Sequence, residues 1–323
     1  MVMVIRKSEI KSWSKMGTRA TFGLGILRLF EEEPDFYVMS ADLCQSSGLE
    51  RFRIKYPNNF INVGIAEQNL IGVAAGLAKD GTAVYATSFA PFISMRASEQ
   101  IRMNMGYMGM NVKAVGLGSG LAMARLGASH YGIEDISVMR SIPNIVVLSP
   151  ADCMETIKCI EAAKRYEGGV YIRLTGESNN PMVYQEDYTY QIGKANLLKR
   201  GEKVALIATG TMVYQALCVA QNLERAGIDP SVIDMHTIKP LDTEILDTLE
   251  EYDYLITVEE HSVIGGLGGA VAEYMGSKKD RPRHLLIGIE DFFPHAGDYE
   301  YLLKQCGLTV EQITDKIMRF IKI

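Results

Sequence analysis

The sequence predicts an α/β protein of two domains, each a mostly parallel sheet covered by helices. Three observations carry this. Short apolar runs of strand length alternate with longer runs of helical periodicity along nearly the whole chain. The 323 residues exceed what one ordinary core accommodates. The alternation stops at a polar stretch, 176–191, that contains Asn179-Asn-Pro181, and then restarts. The boundary is expected near residue 190, giving domains 1–190 and 191–323.

Ile10, Trp13, Met16, Phe22, Ile26, Leu27 and Phe30 form the apolar side of an expected first helix, 8–31, which Glu31-Glu-Glu-Pro34 ends. The strand Phe36–Ser40 runs into the polar loop Ala41–Gly48, at the strand end where parallel sheets place ligands. A short apolar strand from Phe60, a tight Gly64 turn and a helix of small residues follow. Leu70, Ile71, Ala74, Ala75 and Ala78 give that helix a buried face, and Gly72 and Gly76 allow close approach of a backbone or a flat ligand. A strand at Thr82–Thr87, a helix from about Pro91 to Gly109, and a strand at Val112–Gly116 lead into a glycine-rich loop ending at Gly132. The strand Ile145–Leu148, the helix Ala151–Arg165 and the strand Val170–Leu174 complete the first domain. In the second, strands are expected at Val204–Ala208, Pro230–Asp234, Tyr254–Glu259 and His284–Ile289. Helices are expected at Met212–Ala226, Thr243–Glu251, Gly265–Met275 and Val310–Ile321.

Composition excludes several functions. Apolar content of 47% and charged content of 22% suit a soluble globular protein. A net charge of −6 leaves no basic footprint for nucleic acid. The five cysteines form no CxxC pair and read as reduced thiols in a cytosol-like compartment. The basic start (Arg6, Lys7, Lys11, Lys15, Arg19) lacks the apolar core of a signal peptide, and no run has the length to span a bilayer. Gly265-Gly-Leu-Gly-Gly-Ala270 imitates a dinucleotide loop, but Val271 stands where the last glycine belongs. Close helix packing or a subunit contact is the expected use of these glycines.

Glu67 is the candidate for chemistry. It sits where a helix leaves a strand, flanked by Ile65 and Ala66. The helix N-terminus favours its charged form, whereas burial beside apolar groups favours the neutral one. Read as a residue alone, Glu67 either complements the helix dipole or exchanges a proton near neutral pH.

Motifs in a fixed order add a resemblance. Ser40-Ala-Asp-Leu43, Gly64-Ile-Ala-Glu67-Gln, Thr87-Ser-Phe-Ala-Pro-Phe92, Ser129-His130-Tyr-Gly132, and Pro143-Asn-Ile-Val-Val147 with Pro150-Ala-Asp152 succeed one another in the first domain. His236-Thr-Ile-Lys-Pro-Leu-Asp242 and Glu259-Glu-His261-Ser, with the glycines from Gly265, follow in the second. As an ordered set they resemble the C-terminal half of a transketolase, or of the related deoxyxylulose-phosphate synthases, over essentially the whole chain. That half comprises a pyrimidine-binding domain and a C-terminal domain.

The resemblance implies thiamine diphosphate as cofactor. In such enzymes the cofactor's own aminopyrimidine ring removes the C2 proton, once a carboxyl group hydrogen-bonds its N1′ atom. Glu67 matches that carboxyl. Phe92 matches the aromatic that stacks on the pyrimidine, with Phe89 beside it, and Asp42 matches an acid near the thiazolium ring. As residues, Phe89 and Phe92 equally suit core packing, and Asp42 equally suits loop capping. Arg19 and Arg173 match phosphate-binding arginines and Ser46 a serine that shares the phosphate, a task suited to the planar guanidinium fork. His130 matches a histidine that contacts the donor sugar's carbonyl and hydroxyl end. His236, His261, His284 and His295 are given no chemistry.

The implied activity is transfer of a two-carbon ketol unit from a ketose phosphate, or a similar anionic ketose, to an aldehyde. Leu126 stands four residues before His130, where the family carries an aspartate, so a non-standard acceptor sugar is expected. The Gly-Asp-Gly motif of the family's N-terminal half, which with a downstream asparagine holds Mg2+ (or Ca2+) and the diphosphate, does not occur in this sequence. The resemblance thus implies an N-terminal partner subunit, two copies of each subunit, and a cytoplasmic enzyme. Two rival readings share the fold: the β subunit of a 2-oxoacid dehydrogenase, and a non-catalytic scaffold subunit. Ser40-Ala-Asp-Leu43 and the candidate phosphate residues argue against the first.

Overall fold

Strands that are apolar on both sides of the pleat need cover on both faces, and this requirement arranges the first domain. The computed structural model describes residues 5–176 and 178–321; residue 177 of the expected linker and residues 1–4 and 322–323 lie outside it. Six parallel strands, β1 (Phe36–Ser40), β2 (Phe60–Asn62), β3 (Ala83–Phe89), β4 (Val112–Ser119), β5 (Val146–Leu148) and β6 (Val170–Thr175), stand in the order β5-β6-β4-β3-β1-β2. The helices are α1 (Lys7–Met16), α2 (Thr18–Glu32), α3 (Glu50–Lys55), α4 (Glu67–Leu77), α5 (Ser98–Gln100), α6 (Asp135–Ser141) and α7 (Cys153–Arg165). Phe22, Ile26 and Phe30 of α2 and Ile160 of α7 pack with Phe36, Tyr85, Val115 and Ile172 on one face. Leu70, Ile71 and Ala74 of α4 and Ile136 and Met139 of α6 pack with Met39, Ala86 and Ala114 on the other.

Two expected helices are interrupted. The run 8–31 is α1 and α2, broken at Gly17, whose φ of +82° no helix interior accepts. The run from Pro91 consists of two π-helical stretches, Phe92–Arg96 and Ile101–Tyr107, on either side of α5. Such wide turns concentrate at functional sites. Farther back, α2 lies backbone against backbone on the loop after β1. A methyl built on Gly23 would stand 2.1 Å from the carbonyl oxygen of Gly48.

The second domain has strands β7 (Asn196–Lys199), β8 (Val204–Ala208), β9 (Pro230–Asp234), β10 (Thr237–Lys239), β11 (Tyr254–Ser262) and β12 (Arg283–Ile289). Its sheet runs β12-β11-β8-β9-β7, parallel except for the edge strand β7. On one side lie α8 (Met212–Arg225), α11 (Tyr299–Gln305) and α12 (Val310–Ile321); on the other lie α9 (Thr243–Asp247) and α10 (Leu267–Met275). The glycines before α10 pack closely, as expected. Leu267 N and Gly268 N donate to the Glu259 carboxylate at 2.7 and 2.8 Å, so the amides that would meet a nucleotide's phosphate are already taken. Among the described residues no helix is long and apolar enough to cross a membrane.

The two domains are stitched together by residues of both. β10 crosses over and pairs antiparallel with β5 at the edge of the first sheet. Lys239 Nζ donates to the carbonyls of Arg140 and Ile142. The expected linker is no free tether. Asp152 caps α7 and accepts from the amides of Val183 and Tyr184, while the Tyr184 hydroxyl donates to Asp234 at 2.6 Å. Tyr188 stacks on Tyr184 and donates to Glu155.

Arg173 is a correction. The sequence places it among the phosphate ligands, but its side chain is 1% exposed. Its Nε donates to both oxygens of Asp135 at 3.0 Å, and its Nη2 to the carbonyls of Gly132 and Glu260. β6 carries it under the sheet's cover, so it ties α6, the glycine-rich loop and β11 together and has no face open to a phosphate.

Arg173→Leu, which leaves Asp135 buried without its counter-charge, is expected to lower stability by about 3–5 kcal/mol in urea unfolding. Lys7→Ala, which breaks an exposed pair with Glu186, should stay within about 0.5 kcal/mol. A pH dependence follows from Asp234. Burial pushes its pKa up to about 7, with Glu155 and Asp152 the acids facing it and Tyr184 its donor. The folded protein therefore keeps a proton that the unfolded chain releases near pH 4. That contribution is complete below about pH 4 and is lost as pH rises through 7. Asp234→Asn is expected to flatten this fall when unfolding midpoints are measured across that range.

Candidate active site

The site forms where loops leave the C-terminal ends of the parallel strands β1, β2, β3 and β4. β2 ends at Asn62, Gly64 turns the chain with φ of +75°, and α4 begins at Glu67. Glu67 is 2% exposed, although it is charged and stands beside a surface turn. Two donors hold it. Ser88 Oγ, near the end of β3, donates to Oε1 at 2.9 Å, and Arg96 Nη1 donates to Oε2 at 2.7 Å. Burial pushes the carboxyl's pKa up. The hydrogen bonds from Arg96, from its own helix amide and from Ser88 outweigh that, so it lies below the usual carboxylate value. The expected balance between dipole and burial is thus tipped by a cation outside the motif.

Arg96 also lies over the ring of Phe92, 4.3 Å from its centroid. Phe92 starts the π turn that Arg96 ends, which brings the two side chains onto one face. Phe89 and His130 stand edge-on to Phe92 with centroids 6.0 and 5.1 Å away, and to each other at 5.7 Å. Both phenylalanines are partly open rather than sealed in the core. His130 is presented by a turn in which its amide donates to the Gly127 carbonyl. Its Nδ1 lies 3.0 Å from Ser129 Oγ.

Asp42 stands nearby on an exposed loop with φ of +60°. Asn62 joins this loop to the Gly64 turn. Its Oδ1 accepts from the amides of Asp42 and Gly64, both at 3.0 Å, and its Nδ2 donates to Asp42 Oδ1 at 3.1 Å. Arg19 lies in the first turn of α2 and Ser46 in the loop after β1. The close packing of Gly23 on Gly48 sets these two segments side by side, and a methyl on Gly48 would stand 3.1 Å from the Arg19 carbonyl. The structure thus gathers Glu67, Phe89, Phe92 and His130 at one place, sets Asp42 beside their turn, and buries Arg173 away from them.

Three participants go unread in the sequence: Ser88, Asn62 and Arg96. Ser88 lies inside the Thr87–Phe92 motif, and Arg96 falls four residues after Phe92, where helical spacing returns to the same face. Gly72 and Gly76 of α4 meet nothing within 4 Å of a built methyl, so that face of the helix is open in this chain. Among the described residues no group of three His, Cys, Asp or Glu side chains could hold a metal ion. The arrangement is a buried carboxylate at the rim of a half-open aromatic wall, with an imidazole at its edge. It can bind a flat nitrogen heterocycle by stacking and by accepting one hydrogen bond from a protonated ring nitrogen.

Residues 14–180 match the family described as "Transketolase, pyrimidine binding domain", and residues 193–313 match "Transketolase, C-terminal domain". A "Putative transketolase C-terminal section" of Methanocaldococcus jannaschii is 41% identical, over 95% of this chain and 96% of its own length. A "6-deoxy-6-sulfo-D-fructose transketolase subunit" of Clostridium sp. (strain MSTE9) is 37% identical, over 89% of each chain. A solved structure described as "Split gene transketolase, inactive beta4 tetramer" superimposes with a TM-score of 0.84 at 38% identity, over 94% of this chain and 97% of that one.

Proposed function

The chain belongs to the transketolase family, and from that premise we propose that it is the C-terminal subunit of a split, thiamine-diphosphate-dependent transketolase. The reaction would move a two-carbon ketol unit from a ketose phosphate, or a similar anionic ketose, to an aldehyde. The observation that carries the reading is the buried Glu67 carboxylate beside the partly open ring of Phe92.

These residues fit the cofactor's pyrimidine end. A flat aminopyrimidine has a face for Phe92 and a ring nitrogen for Glu67. When bound, thiamine diphosphate supplies the nucleophilic carbon that carries the ketol unit. Glu67 would hold the hydrogen bond to the ring nitrogen, and its low-exposure setting keeps water from competing for that bond. Phe92 and Phe89 would fix the ring plane. His130, with Nδ1 turned to Ser129, would offer Nε2 to the oxygens of the donor sugar. Asp42 would face the thiazolium side, and Arg19 and Ser46 would take the sugar's anionic end. The relative that handles a sulfonated fructose supports an anionic ketose of unusual kind. Leu126, exposed on the His130 loop, would remove an acceptor hydroxyl's partner.

The diphosphate and Mg2+ (or Ca2+) would be held by an N-terminal partner subunit. The relatives that support this are themselves described as a C-terminal section and as a subunit, and this chain spans nearly all of each. The surface beside the site suits assembly: Ile65 is 77% exposed, Met95 is exposed, and the Gly72–Gly76 face is open. The similar structure described as an inactive β4 tetramer supports self-association, with turnover requiring the partner.

Titration calorimetry with thiamine diphosphate and magnesium is the test, on this chain alone and on it co-expressed with the neighbouring open reading frame. Binding is expected only in the second sample. In that complex Glu67→Ala is expected to lower kcat by about 10²- to 10⁴-fold without disassembly. Unchanged turnover in an intact complex would remove Glu67 from the mechanism and leave a scaffold subunit.

A further inference from the structure

We propose that Arg96 is a placeholder for the cofactor's pyrimidine ring: it fills the ring's position in the isolated subunit and is displaced when the cofactor arrives. The inference rests on the pyrimidine reading of this site. A guanidinium is flat and carries hydrogen-bond donors along its edge, as an aminopyrimidine protonated at its ring nitrogen does. Arg96 already makes both contacts assigned to the ring. It lies over the face of Phe92, 4.3 Å from the centroid, and it donates to Glu67 Oε2 at 2.7 Å. Phe89 and His130 meet Phe92 edge-on, so the face under Arg96 is where a flat ligand stacks.

The two occupants exclude each other. Glu67 Oε1 is engaged by Ser88 and Oε2 by Arg96, so the carboxylate has a donor on each oxygen before any ring approaches. A ring stacked on Phe92 and bonded to Glu67 takes the volume the guanidinium fills. Arg96 has room to leave. Its side chain is 47% exposed, whereas that of Glu67 is 2% exposed, so the cation swings to solvent while the acid stays. The wide turn Phe92–Arg96 places the side chain over the ring. While the site lacks cofactor, Arg96 keeps a buried carboxylate paired, which spares the subunit an unpaired buried charge.

The test uses the assembled complex and two variants, Arg96→Gln and Arg96→Lys. Thiamine diphosphate affinity is read by calorimetry at fixed magnesium, and the thermal midpoint is read without cofactor. A placeholder gives effects of opposite sign. Arg96→Gln is expected to tighten cofactor binding by about tenfold, the worth of a stacked cation and a partly exposed ion pair together, and to lower the cofactor-free midpoint by several degrees. Arg96→Lys, which keeps the charge but not the flat fork, should fall between. Binding that is unchanged or weaker in Arg96→Gln, with a folded and assembled complex, overturns the placeholder: the first outcome means Arg96 is never in the way, the second that it helps hold the ring. Glu67→Gln separates the two layers of the inference. If it leaves wild-type affinity intact, or if wild type and variants all fail to bind, the pyrimidine reading falls and the placeholder with it.

Discussion

The buried pair of Arg173 and Asp135 is the constraint from which the rest of the architecture follows. Two charges removed from water are costly unless every hydrogen-bonding position is met. The fold meets them with Tyr171, whose hydroxyl donates to Asp135 at 2.7 Å, and with two carbonyls that come from different domains. One of those carbonyls belongs to Gly132, which also exchanges hydrogen bonds with Gly120 at 2.7 and 3.0 Å. Both ends of the loop that presents His130 are thereby fixed. The other carbonyl is that of Glu260 in β11, so the second domain is locked to the strand order of the first. A residue outside the site in this way anchors the loop that carries His130.

The same logic separates two buried glutamates whose carboxylates lie at helix starts, Glu259 of β11 and Glu67 of α4. Glu259 is spent on structure, since its oxygens take the first amides of α10 and a methyl on Gly266 would collide with it. Glu67 is held by two side chains, one of which is a half-exposed cation. A carboxylate satisfied by backbone amides cannot change partner without unravelling a helix. One satisfied by an arginine at the surface can. That difference, rather than burial, marks Glu67 as the residue able to meet a ligand.

Much of this fold was legible because parallel strands buried on both faces read as unbroken apolar runs, and Val146–Leu148 or Val204–Ala208 need no context to be recognised. What escaped depends on long-range partners. β10 is three residues that make sense as a strand only against β5. Gly17 looks like any glycine until its φ is known. At the site, Glu67, Phe89 and Phe92 converge because each lies at the end of an element that could be read, and His130 because it lies in a loop that could be read. Arg173 was misread for a physical reason: an arginine ending a strand looks the same whether it faces solvent or an aspartate 38 positions away. Arg96 escapes because its partner Glu67 is 29 positions earlier, so its spacing from Phe92 says nothing of the carboxylate it pairs with.

The most direct measurement is exchange of the cofactor's C2 proton with solvent deuterium, followed by NMR after acid quench, in the magnesium-loaded complex of this chain with its partner. Wild type is compared with Glu67→Gln under conditions where both are saturated with cofactor. If Glu67 holds the ring nitrogen, exchange slows by about 10²-fold or more in the variant. Equal exchange rates at equal occupancy would contradict that role and return Glu67 to a helix-capping acid.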